Sequence, residues 1–178
     1  MIHELLHYKK VILASLSPRR KELFSLLGIS FTAIPAELEE TINNEAPQTQ
    51  AMQNALRKAQ IVKDKVNKDA LVVSADTLVA LDNHILGKPA NAEEAGKYLR
   101  LLSGRSHSVY TGICIYYNDL AEINYEQTFV TFAELSEAEI NSYIATGEPL
   151  DKAGAYGIQG FGAQFITKVE GCYFNVMG

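Results

Sequence analysis

Cysteine is scarce in this sequence: Cys114 and Cys172 are the only two in 178 residues. Each lies in an apolar alternating segment, which reads as a buried reduced thiol rather than a disulfide or a nucleophile. No apolar run reaches the length of a membrane span. The opening MIHELLHYKK is too polar for a secretory leader, so a cytoplasmic setting is expected. Positive charge is also in short supply, with 16 Lys and Arg against 21 Asp and Glu and a formal net charge of -5. That balance excludes broad electrostatic binding to nucleic acid, which needs a clustered positive surface. Any polyanion must therefore be met locally. Walker and G-x-S-x-G motifs, repeats, linkers and low-complexity segments are all missing. What is present is an ordinary globular composition, 47% hydrophobic and 21% charged, in a chain long enough for one domain with a sizeable core.

Along the chain, VILAS (Val11 to Ser15) is brief, β-branched and bounded by turn residues, so it reads as a buried strand. Ser17 stands where an N-cap belongs and Pro18 at the first helical position, ahead of an apolar stripe through Leu23, Phe24, Leu26 and Leu27 that Gly28 stops. FTAIP is a second strand, AELEETINNEAP an acidic loop, and Gln48 to Val66 a helix with Met52, Ala55, Leu56, Ala59 and Val62 on its apolar side. Leu71 to Ala75 forms a compact strand that stops at Asp76. A hairpin follows around Asp82-Asn83, then Gly87-Lys88-Pro89. Asn91 and Glu94 open a helix ending near Leu102. His107 to Phe132 is an antiparallel pair about Asn118-Asp119, and Ser136 with Glu139 caps a helix to about Thr146. The last stretch is a glycine-rich loop followed by a hairpin about Glu170-Gly171. Strands alternating with helices early and pairing in hairpins late predict an α/β domain with a mixed sheet.

Several motifs are decoys. His3-Glu4-Leu5-Leu6-His7 matches H-E-x-x-H, but it lies in a frayable terminal segment, and a zinc site needs a further ligand and a cleft. Gly157, Gly160 and Gly162 have the wrong spacing for a dinucleotide fingerprint, and a strand follows them rather than a helix. The remaining signal is joint. Arg19 and Arg20 follow the first strand, Asp76 and Lys88 follow later ones, and Glu37, Glu39 and Glu40 cluster in the acidic loop. Ligands gather where strands of an open α/β sheet end. Guanidinium and ammonium groups suit phosphate oxygens, and carboxylates suit a hard divalent cation. Phosphoanhydride hydrolysis asks for that combination.

The segments ILASLSPRRKELFSLLGISF, LEET, ALRKA, SADTLVALDNHILGKP, LSGRSHSVYTG, GEPLDKAGAYGIQGFGAQF and EGCYFNVMG closely resemble the Maf family of nucleoside triphosphate pyrophosphatases, over nearly the whole chain. The resemblance implies the α/β fold shared with the inosine-triphosphatase superfamily: a mixed sheet with flanking helices and two lobes around a central cleft. It implies a cut between the α and β phosphates that depends on a divalent metal, Mg²⁺ or Mn²⁺, and often a homodimer. By position, Ser15, Arg20, Glu40, Lys58, Asp76 and Lys88 fall on phosphate, metal and catalytic positions, with Glu40 and Asp76 toward the metal. Asp76 is the usual proton acceptor, although either carboxylate could hold that role. Arg19, Thr77 and Gln159 match the branch resembling dTTP and UTP pyrophosphatases rather than the branch that prefers 7-methyl-GTP. The resemblance thus implies a uracil or thymine triphosphate, canonical or modified, as substrate. Gln159 offers an amide suited to the O4 and N3–H edge of such a base. The family name also carries a second reading, a septum-formation regulator acting by partner binding. Family members usually continue past Val176-Met177-Gly178 with a strand and a helix, so residues 1–178 are expected to be a single domain lacking that segment.

Overall fold

A computed structural model of the chain describes residues 1–38, 43 and 45–178. The elements run α1 (Ile2–Leu5), β1 (Val11–Leu13), α2 (Pro18–Leu26), β2 (Thr32–Ala33), α3 (Pro47–Lys63), β3 (Leu71–Leu81), β4 (His84–Leu86), α4 (Ala92–Leu102), β5 (Ser106–Tyr117), β6 (Leu120–Phe132) and α5 (Glu137–Ala145). After three short 3₁₀ turns come β7 (Ile166–Glu170) and α6 (Tyr173–Met177). The strands form one mixed sheet in the order β2-β1-β3-β5-β6-β7, with β4 paired to β3 off that path. β1 is parallel to both β2 and β3, and every other pairing is antiparallel.

Local chemistry fixes most boundaries. Asp82 and Asn83, and again Asn118 and Asp119, take positive φ in the two hairpin turns, the conformation that Asn and Asp tolerate best among residues with a Cβ. Asn91 accepts the Glu94 N–H, and Ser136 with Glu139 forms a reciprocal capping box. Ala95, Leu99 and Leu102 put one face of α4 fully inside, each leucine contributing about 2 kcal/mol by burial.

Beside a small cluster of Ala51, Leu78, Ala80 and Tyr110, two larger hydrophobic clusters among the described residues flank the sheet. One joins Ile12, Ala55, Ala59, Val62 and Val72 under α3. The other joins Val79, Leu81, Leu99, Leu102, Ile140 and Tyr143 under α4 and α5. β3 and β5 are common to both: Val72 and Cys114 belong to the first cluster, Val79, Leu81 and Val109 to the second, so the two lobes share the middle of the sheet.

Three expectations need correction. Asp76 does not end a strand: β3 runs on through it to Leu81, because the carboxylate finds buried partners and need not reach water. The α3 helix stops at Lys63 rather than Val66. Past Glu170 there is no hairpin but a helical turn, α6. The Thr128 hydroxyl bonds Cys172 through both its N–H and its carbonyl and accepts from Asn175 Nδ2, which turns the chain back onto the sheet.

Candidate active site

The site begins with the close approach of α3 to the sheet. Ala51, Ala55 and Ala59 recur at helical spacing and are fully buried against it. Opposite them Gly112, paired in register with Asp76, presents no side chain. A Cβ there would lie 2.4 Å from the Ala51 carbonyl carbon and oxygen. This proximity lets a polar row on α3 reach the inner face of β3. Lys58 Nζ lies 2.5 Å from Asp76 Oδ1, and Asn54 Nδ2 donates to Oδ2 at 3.0 Å. All three side chains are buried. The pair is thus neutralised and hydrogen-bonded, as a buried charge requires. Each carboxylate oxygen retains a further lone pair for another partner.

A second group gathers at the end of β1. The chain turns at Ser15, whose Oγ accepts the Ser17 N–H at 3.1 Å, and α2 starts with Pro18 in its first turn. Ser17 makes no side-chain capping bond. Arg20 is fixed from several directions: Nε donates to the Gly178 carbonyl at 3.1 Å, Nη2 to Thr77 Oγ1 at 3.3 Å and Nη1 to Ser15 Oγ at 3.5 Å. Thr77 lies 3.0 Å from Thr111 Oγ1, and Thr111 donates to the Asn175 carbonyl at 2.9 Å. Arg19 is held less. Its Nε is buried without a hydrogen-bond partner among the described residues.

The facing wall comes from the segment between α5 and β7. Tyr156 is buried, its hydroxyl 2.7 Å from His107 Nε2 and its ring packed edge-on against Phe132. Burial pushes the phenol's pKa up and lowers that of His107 to about 4, so the imidazole is neutral at neutral pH. Burial works against ionisation of Asp151, but the bond and charge of Lys152 and the charge of Arg19 outweigh it and hold this carboxyl below its usual value.

These walls enclose a cleft of about 770 Å³ between the lobes. Ser15, Arg19, Arg20, Lys58, Asp76, Thr77, Lys88 and Gln159 all line it, although their positions span most of the sequence. Glu39 and Glu40 lie outside the described residues; Glu37 is described and is not among the lining side chains. Sequence reasoning missed Asn54, Glu148, Lys152 and Tyr156. Asn54 could have been found from its place one turn before Lys58, which puts both on one helical face. The other three carry no periodic signal.

No group of three or more His, Cys, Asp or Glu side chains that could hold a metal occurs among the described residues. The H-E-x-x-H segment lies at the four-residue α1, which buries nothing. The cleft still suits a hard cation shared with a phosphate ligand. Mg²⁺ commonly uses one or two carboxylates, water and substrate oxygens rather than an all-protein cage, and Asp76 supplies such a carboxylate. Cys114 is a buried free thiol whose pKa burial raises to about 11, and Cys172 is half-buried and free.

A family model described as Maf, Maf-like protein, matches residues 10–178. A dTTP/UTP pyrophosphatase of Bacillus cereus (strain ATCC 10987 / NRS 248) is 51% identical over 171 residues, covering 96% of this chain and 84% of the relative. A dTTP/UTP pyrophosphatase of Bacillus anthracis is 50% identical, covering 96% of this chain and 89% of the relative. Among solved structures, the Staphylococcus aureus Ham1 protein aligns with a TM-score of 0.54 at 17% identity, over 89% of this chain and 80% of that one. That likeness concerns the fold. No helix among the described residues is long and apolar enough to cross a membrane.

Proposed function

The chain belongs to the Maf family, and on that premise we propose that it is a nucleoside triphosphate pyrophosphatase that hydrolyses dTTP and UTP to the monophosphate and pyrophosphate. The observation that carries this reading is the convergence of cationic groups, a buried carboxylate and an amide-bearing loop on one cleft.

In the proposed reaction, Arg19, Arg20, Lys88 and the N-terminus of α2 receive the triphosphate. Asn54 and Lys58 hold the Asp76 carboxylate in one orientation. Asp76 accepts a proton from a water whose oxygen attacks the α-phosphorus. The bond from that phosphorus to the α–β bridging oxygen breaks, and pyrophosphate leaves with the electron pair, its charge met by Lys88 and the arginines. Gln159 reads the O4 and N3–H edge of the base, an edge that many modified pyrimidines keep. Maf-family nucleotide pyrophosphatases generally need a metal. Here Asp76, with Glu40 beyond the described residues, would hold Mg²⁺ or Mn²⁺. When bound, that ion neutralises phosphate charge and polarises the phosphoryl group. We place the chain in the cytoplasm as a homodimer, with residues 1–178 as a single domain.

The test is pyrophosphate release from dTTP, UTP and purine triphosphates, with Mg²⁺ or with chelator. Turnover of the pyrimidines is expected, and Asp76→Asn should reduce kcat by about a hundred-fold or more while nucleotide still binds. Absence of release from dTTP and UTP would overturn the reading. Full activity in Asp76→Asn would move the proton acceptor to another carboxylate.

A further inference from the structure

The loop that presents Gln159 is held by a side chain rather than by secondary structure. Between Ala155 and the 3₁₀ turn at Phe161–Phe165 the backbone belongs to no strand or helix. It is pinned at its two ends instead: the Glu148 carboxylate takes the first two N–H groups of that 3₁₀ turn, and the Tyr143 hydroxyl takes the N–H of Gly157. Phe161 N donates to Glu148 Oε2 at 2.9 Å and Gly162 N to Oε1 at 3.1 Å. Gly157 N donates to Tyr143 Oη at 3.3 Å, and that hydroxyl donates to Glu148 Oε1 at 2.9 Å. Ile158, Gln159 and Gly160 therefore arch between two pinned ends.

The fit is close on both sides. Gly160 has φ +90, and a Cβ on it would lie 2.6 Å from Glu148 Oε2. A Cβ on Gly162 would lie 2.7 Å from Tyr143 Oη and 2.6 Å from the Gly157 carbonyl oxygen. The clamp is itself anchored. Tyr143 is buried and packs edge-on against Phe165, while Glu148 donates its own N–H to Thr146 Oγ1 and accepts Lys152 Nζ at its carbonyl. Burial of the Glu148 carboxyl opposes its charge, yet the N–H donors, the Tyr143 hydroxyl and Lys152 outweigh it and hold the group below the usual carboxylate value. A charged acceptor makes stronger hydrogen bonds than a neutral one.

We propose that Glu148, with Tyr143, is a positioning residue for base selection, fixing the backbone that carries the Gln159 amide. The proposal rests on the reading of the cleft as a pyrimidine triphosphate site. The residues given to phosphate binding and proton transfer stand on α2, α3, β3 and the segment after β4, and none of them bonds this carboxylate. Loosening the clamp therefore alters which base is accepted more than how fast a bound triphosphate is cut.

The test compares wild type with Glu148→Ala and Tyr143→Phe, the second keeping the ring and its packing. Readouts are kcat and KM for dTTP and for dATP, with amide hydrogen exchange over residues 157–162. In Glu148→Ala the dTTP-to-dATP ratio of kcat/KM should fall about ten-fold or more, as expected for losing charge-assisted bonds. KM for dTTP should rise, kcat should change little, and the loop amides should exchange faster. Tyr143→Phe should shift the ratio the same way by less. A merely structural role would scale both substrates together, and an unchanged ratio in both variants overturns the proposal while leaving pyrophosphatase activity standing. Equal turnover of dTTP and dATP by the wild type would instead strike the underlying substrate reading, and the clamp's role in selection with it.

Discussion

Replacing Gly112 with alanine tests how the candidate catalytic carboxylate is assembled. The new Cβ would stand 2.4 Å from the Ala51 carbonyl carbon and oxygen and 2.5 Å from the Met52 nitrogen, all main-chain atoms of α3. No side chain can step aside, so the helix must retreat by about 1 Å to restore ordinary contact. Asn54 lies less than one turn along from Ala51, and its 3.0 Å bond to Asp76 would open to about 4 Å, past hydrogen-bond range. Lys58 can follow the carboxylate on its flexible stem, so its contact should survive. Overpacking costs about 1–3 kcal/mol, and an unsatisfied buried amide about as much again. Across 178 residues a combined loss of about 3 kcal/mol corresponds to a Tm lowered by roughly 6–12 °C. A displacement of this size near reacting groups should lower kcat for dTTP by about ten- to a hundred-fold. Thermal melting and steady-state kinetics on the same preparation measure both. Because the clash is with backbone, adding Ala51→Gly should not rescue it. A Gly112→Ala protein that melts and turns over like wild type would refute the claim that helix approach builds the site.

Asn54→Leu removes the amide without moving the helix. It should lower kcat about ten-fold at nearly unchanged KM, and a wild-type kcat would show that Lys58 alone orients Asp76. His107 gives a pH signature. Its folded value lies near 4 against an ordinary 6.5, so below 6.5 the unfolded chain takes up a proton that the folded chain refuses, and stability falls with pH. Between pH 7.5 and 5 denaturant unfolding should lose about 2 kcal/mol from this group. His107→Gln should abolish that slope, and a slope that persists in the variant would assign it elsewhere.

What the sequence made legible was local. Asp82-Asn83, Asn118-Asp119 and the Ser136–Glu139 box act on their neighbours within a few residues, and they set turns and caps as expected. Asp76 misled because a carboxylate in an apolar run looks like a strand end. It is tolerated inside β3 only because Asn54 and Lys58 meet it from a helix about twenty residues earlier. Resemblance, not periodicity, brought Lys58 forward, since an isolated helical lysine is ordinarily solvated. Glu148 was illegible for a different reason: its partners are main-chain N–H groups of a glycine-rich loop, and no side-chain pattern records them.

The two ends of the cleft are supported by different physics, and Thr77 shows which end it serves. The resemblance implied by the sequence sets this position beside Arg19 and Gln159 as base-selective. Its hydroxyl nevertheless touches Arg20 and Thr111. From Thr111 the bonds continue to the carbonyl of Asn175, whose amide reaches Thr128 and the Val109 carbonyl. Asn175 Oδ1 has no partner among the described residues, but the bonds on either side of Thr111 tie the Arg20 guanidinium to the sheet and to the chain's last turn, and on the proposed reading they orient it toward a phosphate. Among the described residues the glycine-rich loop has no comparable chain and is held by one carboxylate and one hydroxyl. On the proposed reading, threonine at position 77 bears on the base through Arg20, by fixing where the phosphates lie and hence how far the nucleotide reaches toward Gln159.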